Sequence, residues 1–138
     1  MSDENKAVVR RFYEAFGQQD YVSLKEVLAP ELAAYAHSAT VPATRDDALQ
    51  GIRNWNAAFD GSHYTVEDQV AEGDQVATRV KLRAVHSRGD FMGAPPAGAQ
   101  IEIKGISVER IADGKIVERH VSYDQIGLMQ RLGLLPPP

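Results

Sequence analysis

The hydrophobic positions change period once along the chain. Residues 4–17, ENKAVVRRFYEAFG, set Val8, Val9, Phe12, Tyr13 and Phe16 at helical spacing, and Gly17 closes the run as a C-terminal cap. Asp20 reads as an N-cap for the next segment, where Leu24, Val27 and Leu28 form a short apolar stripe that stops before Pro30. The stretch ELAAYAHSA leads into a loop with Pro42. A third helix follows, with Ala48, Ile52, Trp55 and Phe59 on one side and Asp60-Gly61 ending it. The predicted helices are therefore 4–17, 21–29 and 45–59.

From His63 onward the period is two. Strands are predicted at 63–71, 74–86, 100–111 and 115–124. Glu72-Gly73-Asp74 joins the first two, and Asp113-Gly114 is a strong hairpin signal between the last two. Between the pairs, SRGDFMGAPPAGA is too rich in Gly and Pro for a strand and reads as a long loop or flap over 87–99. No linker divides the chain, so residues 1–138 are expected to form one domain. The predicted fold class is α+β, a cone-shaped barrel with three N-terminal helices packed on a strongly curved, mainly antiparallel sheet. A sheet bent around one long helix leaves a conical cavity suited to a small molecule.

Pairing across Asp113-Gly114 sets Ile111 opposite Ile116, Glu109 opposite Glu118, Ser107 opposite His120 and Ile103 opposite Asp124. Opposed residues share a face. One face is thus expected to carry Glu118, His120, Ser122 and Asp124 beside Ile103, Gly105, Ser107 and Ile111, a mixture of aliphatic and titratable groups that suits a pocket wall. On pattern alone a solvated open face fits equally well. The other face, with Val108, Val121 and Tyr123 fringed by Arg110 and Arg119, is expected to be covered by a second copy in a homodimer.

Composition narrows the function classes. The chain has 138 residues, is 43% hydrophobic and 25% charged, and carries a formal net charge of −4. Such a mildly acidic chain with interspersed signs has no electrostatic footprint for nucleic acid or an anionic membrane. Zero Cys excludes disulfides, thiol catalysis and Cys-ligated zinc. The four histidines, at 37, 63, 86 and 120, lack metal-ligand spacing, so no metal is expected. No Gly-rich phosphate loop follows a strand and no Ser sits on a nucleophile elbow. With a polar start, MSDENK, and no long apolar run, the expectation is a soluble cytoplasmic protein.

The order FYEAFGQQD, EGDQVATR, HSRGDFMGAPPAG, DGKIVE and DQIGLMQRLG, spanning about residues 5–135, resembles the SnoaL-like polyketide or ester cyclases of the nuclear-transport-factor-2-like superfamily. Ala97 and Arg131 depart from that pattern, which usually has Thr and Gln there, and an extra residue stands between His86 and Gly89. The resemblance implies an enzyme that needs no cofactor, a catalytic Asp matching Asp124, a pocket-lining Tyr matching Tyr13, and a homodimer.

The chemistry implied is intramolecular aldol closure of an apolar, carbonyl-bearing molecule. One carboxylate can remove and return the proton if burial raises its pKa from ~3.9 toward neutral. Asp124 is the expected general acid/base, with His120 on the same side to tune it or hold the enolate oxygen. Asp124 is equally placed to cap the helical segment QIGLMQRL, and capping does not exclude catalysis. Tyr13, His37, Trp55, His86, Phe91 and Ser107 are candidate substrate-binding residues. For Tyr13 and Trp55 a place in the core, and for His37 and His86 a structural role, are the plainer readings. The same scaffold also suits an isomerase, a dehydratase, an epoxide hydrolase or a small-ligand binding module.

Overall fold

The computed structural model describes residues 2–36 and 39–138, so His37 lies outside the described residues. Its elements run α1 (Ser2–Gln18), α2 (Tyr21–Val27), β1 (Leu28–Ala36), α3 (Arg45–Ala58), β2 (Phe59–Glu72), β3 (Gln75–His86), β4 (Ala99–Ala112), β5 (Lys115–Tyr123) and α4 (Gln125–Arg131). The apolar stripe of α1 is buried through Val9, Phe12, Tyr13 and Phe16. Asp20 caps α2 by accepting from Ser23 N, and Thr44 with Asp47 forms a reciprocal capping box on α3.

The five strands form one sheet in the order β1-β5-β4-β3-β2. All neighbours are antiparallel except β1 and β5. This is an α+β fold of the nuclear-transport-factor-2-like kind, with helices on one face of a curved sheet. The Asp113-Gly114 turn has positive φ at both residues, 51° and 72°, as a tight hairpin between right-twisted strands requires. The 87–98 loop is pinned at its base, where Arg88 N donates to Ala58 O and Gly98 N to His86 O.

Two expectations need correction. Residues 28–36 form a strand, where the predicted α2 ran to 29 and the following segment had no assigned element. Pro30 cannot donate to a ladder, and it falls in the unpaired gap between Leu28 and Ala33 on an edge strand, which is why the strand was hidden. The second correction concerns the faces of the last hairpin. Ile111 pairs with Ile116 as expected, but the next pair is Arg110 with Glu118. Val117 is therefore an extra residue, a β-bulge, and beyond it every β5 side chain swaps faces. Arg119, Val121 and Tyr123 turn inward, while Glu118, His120 and Ser122 turn out. The outer sheet face keeps Ile106, 49% exposed, and Val108, but not Val121 or Tyr123.

Gly17 lets α1 lie against β2, since a Cβ there would stand 2.9 Å from Ser62 O. Gly51, in the exposed interior of α3, has nothing within 4 Å of a would-be Cβ. Gly51→Ala is thus expected to stabilise the fold by roughly 0.5–1 kcal/mol. Gly17→Ala should instead lower the melting temperature despite the better helix propensity of Ala. Thermal denaturation of the two variants checks the contrast, and equal shifts would contradict the close approach of α1.

Candidate active site

Between the helices and the inner sheet face lies a cavity of about 390 Å³. Its walls are mostly apolar, from Phe12 and Phe16 on α1, Leu28 and Leu32 on β1, and Ile52 on α3. A smaller chamber of about 60 Å³ adjoins it, and both are lined by Tyr64, Arg119, Val121 and Tyr123. Polar chemistry gathers at this junction.

The inner positions of β4 include Ser107 and Glu109, two residues apart and so on one face. Glu109 pairs across the ladder with Arg119, which the bulge has turned inward, and Tyr13 approaches from α1. The four side chains close a ring of hydrogen bonds. Arg119 Nε donates to Glu109 Oε2 at 2.9 Å, and Arg119 Nη2 donates to the Tyr13 oxygen at 3.0 Å. Ser107 Oγ donates to Glu109 Oε1 at 3.0 Å, which leaves Tyr13 O–H to donate to Ser107 Oγ at 2.6 Å. Both Glu109 oxygens, Ser107 Oγ, the Tyr13 oxygen and Arg119 Nε and Nη2 thereby have partners, which offsets much of the penalty for burying the two charges.

Electrostatics follow from burial. The Glu109 side chain is 0% exposed, and loss of water raises its pKa above the ordinary 4.5 against the opposing pull of Arg119. Burial also pushes the Tyr13 phenol up, with Arg119 opposing, and Tyr64 and Tyr123 are raised for the same reason. Burial works against the Arg119 charge, yet Tyr13 and Glu109 together hold the guanidinium firmly protonated. Its plane also lies over the Phe12 ring, 4.6 Å from the centroid. Only Tyr13 and Arg119 of the four ring members line the chambers; Ser107 and Glu109 stand behind them.

The residues expected at the site divide sharply. Tyr13 and Ser107 meet in the ring, and Trp55 lines the small chamber while its Nε1 donates to Ser62 Oγ at 2.9 Å. His86 is buried in a structural role, donating from Nε2 to Gly89 O at 2.7 Å to hold the 87–98 loop. Phe91 packs edge-on against Trp55 and Phe59 and lines neither chamber. His120 is on the outer face, with a side chain 53% exposed, stacked on Tyr35 and bonded to Glu118 at 2.8 Å. Asp124 is also outside the cavity: exposed, it caps α4 by accepting from Gly127 N at 2.9 Å. The Asp-x-x-Gly spacing is itself a capping device, since a Cβ on Gly127 would collide with the capping carboxylate. Sequence reasoning missed Glu109 and Arg119, whose signal was a pair of opposite charges brought together only by the bulge. Among the described residues no cluster of His, Cys, Asp and Glu could hold a metal ion.

The chain belongs to the SnoaL-like polyketide cyclase family, which it matches over residues 6–132. Among solved structures it is similar to AclR from Streptomyces galilaeus, a candidate hydroxylase, at 27% identity and TM-score 0.91 over 100% of this chain and 86% of that one. It is similar as well to IdmH from Streptomyces antibioticus, a candidate polyketide cyclase, at 32% identity and TM-score 0.84 over 94% and 98% of the two chains. TsrD from Streptomyces laurentii shares the fold at 24% identity and TM-score 0.85, over 98% of each chain. Comparison with curated proteins gives no match.

The buried carboxyl makes stability depend on pH. A raised folded-state pKa means that the native state binds a proton more readily than the unfolded chain above pH 4.5. The Glu109 contribution is therefore full below 4.5 and is lost as pH rises through its raised folded value. Glu109→Gln removes the titration, so its melting temperature should gain on wild type as pH rises through that window. A gap between the two melting curves that stays constant with pH would contradict a buried, raised Glu109.

Proposed function

We propose that the chain is a cofactor-independent enzyme of polyketide cyclase type, which moves a proton on an apolar, carbonyl-bearing small molecule and so promotes an intramolecular aldol closure. The observation that carries this reading is the Tyr13–Ser107–Glu109–Arg119 ring at the junction of two apolar chambers. A substrate whose carbonyl oxygen reaches Arg119, with the acidic C–H against the Tyr13 oxygen, has its enolate stabilised by a fixed cation among apolar walls. The proton leaving carbon passes to the Tyr13 oxygen as Tyr13 gives its own to Ser107 and Ser107 gives its own to Glu109. Reversal of the relay returns the proton to the new alkoxide, so the reaction is a net isomerisation with all protons accounted for. A terminal base with a raised pKa suits both directions.

Asp124, the carboxylate that the family resemblance selects, has a capping role that does not bring it to the cavity. The proposal therefore assigns the acid/base work to Glu109 acting through Tyr13. A homodimer through the outer face around Ile106 and Val108 belongs to the same reading, because that apolar strip would otherwise face water.

On a ring-closing polyketide substrate, Tyr13→Phe is expected to lower turnover by about 10²-fold or more. Asp124→Asn retains a capping side chain and should stay within about threefold of wild type in turnover, with little change in melting temperature. Loss of turnover in Asp124→Asn with Tyr13→Phe fully active would overturn the assignment. Sedimentation equilibrium checks the assembly: a dimer that Ile106→Lys dissociates is expected, and a wild-type monomer at micromolar concentration would refute it.

A further inference from the structure

The small chamber has a shape and chemistry that the ring of polar groups does not explain. Its apolar walls include Val80, Leu82, Ile103, Val121 and Trp55. Trp55 already spends its N–H on Ser62, so the chamber offers a ligand apolar contact and nothing to bond on that side. Its polar lining is Tyr13 and Lys104, which line this chamber and not the large cavity, and Arg119, Tyr64 and Tyr123, which line both and so mark the boundary between them. A carbonyl held there has one arm in the large cavity and the other in the chamber. An apolar cavity of ~150 Å³ takes one benzene molecule, so 60 Å³ takes roughly one to three carbons and no ring.

We propose that the small chamber is a specificity pocket for a short, unbranched alkyl group attached to the substrate's reacting carbonyl, with the bulk of the substrate in the large cavity. This deepens the functional reading above and rests on it. Gly105 and Val80, cross-strand partners on the inner sheet face, set the depth. A Cβ on Gly105 would come within 3.2 Å of Tyr123 Cβ and of Ser122 O, pressing Tyr123 into the chamber. Trimming Val80 would enlarge it. Neither residue belongs to the proton relay.

The test uses the alkyl phenones as probes: acetophenone, propiophenone, butyrophenone, valerophenone and hexanophenone, whose phenyl ring is too large for the chamber. Calorimetric titration gives each dissociation constant. Trp55, the only tryptophan, lines the small chamber and not the large cavity, so its fluorescence reports arrival of the alkyl arm. Affinity should rise about fourfold per methylene up to the propyl ketone and fall beyond it. Val80→Ala should move the optimum to a longer arm, and Gly105→Ala to a shorter one. Affinity that climbs steadily to the longest ketone, an optimum that Val80→Ala leaves in place, or no binding by any member would overturn the proposal. If the length optimum holds while Tyr13→Phe keeps full turnover, the chamber stands and the catalytic reading fails.

Discussion

A carboxylate and a guanidinium buried side by side constrain everything else in the molecule. Glu109 has no exposed surface and the Arg119 side chain is only 14% exposed, so neither can be left alone without a penalty of several kcal/mol. Their contact exists because one residue, Val117, is bulged out of the ladder between β4 and β5. Without the bulge, the uniform alternation of the hairpin would set Glu109 inside and Arg119 outside. The bulge sits three positions from the hairpin turn, so the turn fixes one register and the pair fixes the next. Tyr13 and Ser107 then complete the set of partners that lets both charges stay dry.

The same constraint shapes the site. An enzyme that moves protons on a weakly polar molecule needs a titratable group away from water and a cation near the developing oxyanion. Here both come from one pair, with the cation toward the cavity and the carboxylate behind it. Apolar walls from α1, β1 and α3 strengthen the field at the junction by keeping the dielectric low. Gly17 on α1 matters for the chemistry too, because the close approach it permits brings Tyr13 within hydrogen-bond reach of β4.

Much of this was legible in the sequence. The stripe Val9–Phe12–Tyr13–Phe16, the Asp20 cap, the helix expected over 45–59 and the Asp113-Gly114 turn all depend on local rules, and α3 ends one residue earlier than those rules put it. The family pattern over the whole chain gave the fold as well. What local rules cannot show is a long-range choice. The strand at 28–36 depends on β5 as a partner, and its Pro and Ala content hides it. The bulge at Val117 is not marked by any turn residue, since the apolar pair Ile116-Val117 fits either assignment of faces, and a slip of one residue reverses the faces beyond it. That is why His120 was expected in the pocket and Arg119 outside it. Asp124 was singled out by a spacing, Asp-x-x-Gly, that the cap on α4 requires in its own right.

The central claim is that Arg119 is turned inward to meet Glu109, and a double-mutant cycle tests it most directly. Stability is measured by chemical denaturation for wild type, Arg119→Met, Glu109→Leu and the double variant. The account predicts that each single change costs roughly 3–5 kcal/mol by leaving a buried charge alone, and that the double variant recovers much of the loss, giving a coupling of at least ~2 kcal/mol. Costs that simply add, with an Arg119→Met loss below ~0.5 kcal/mol as expected for a solvent-facing arginine, would show that the bulge does not turn β5 inward and would contradict the account.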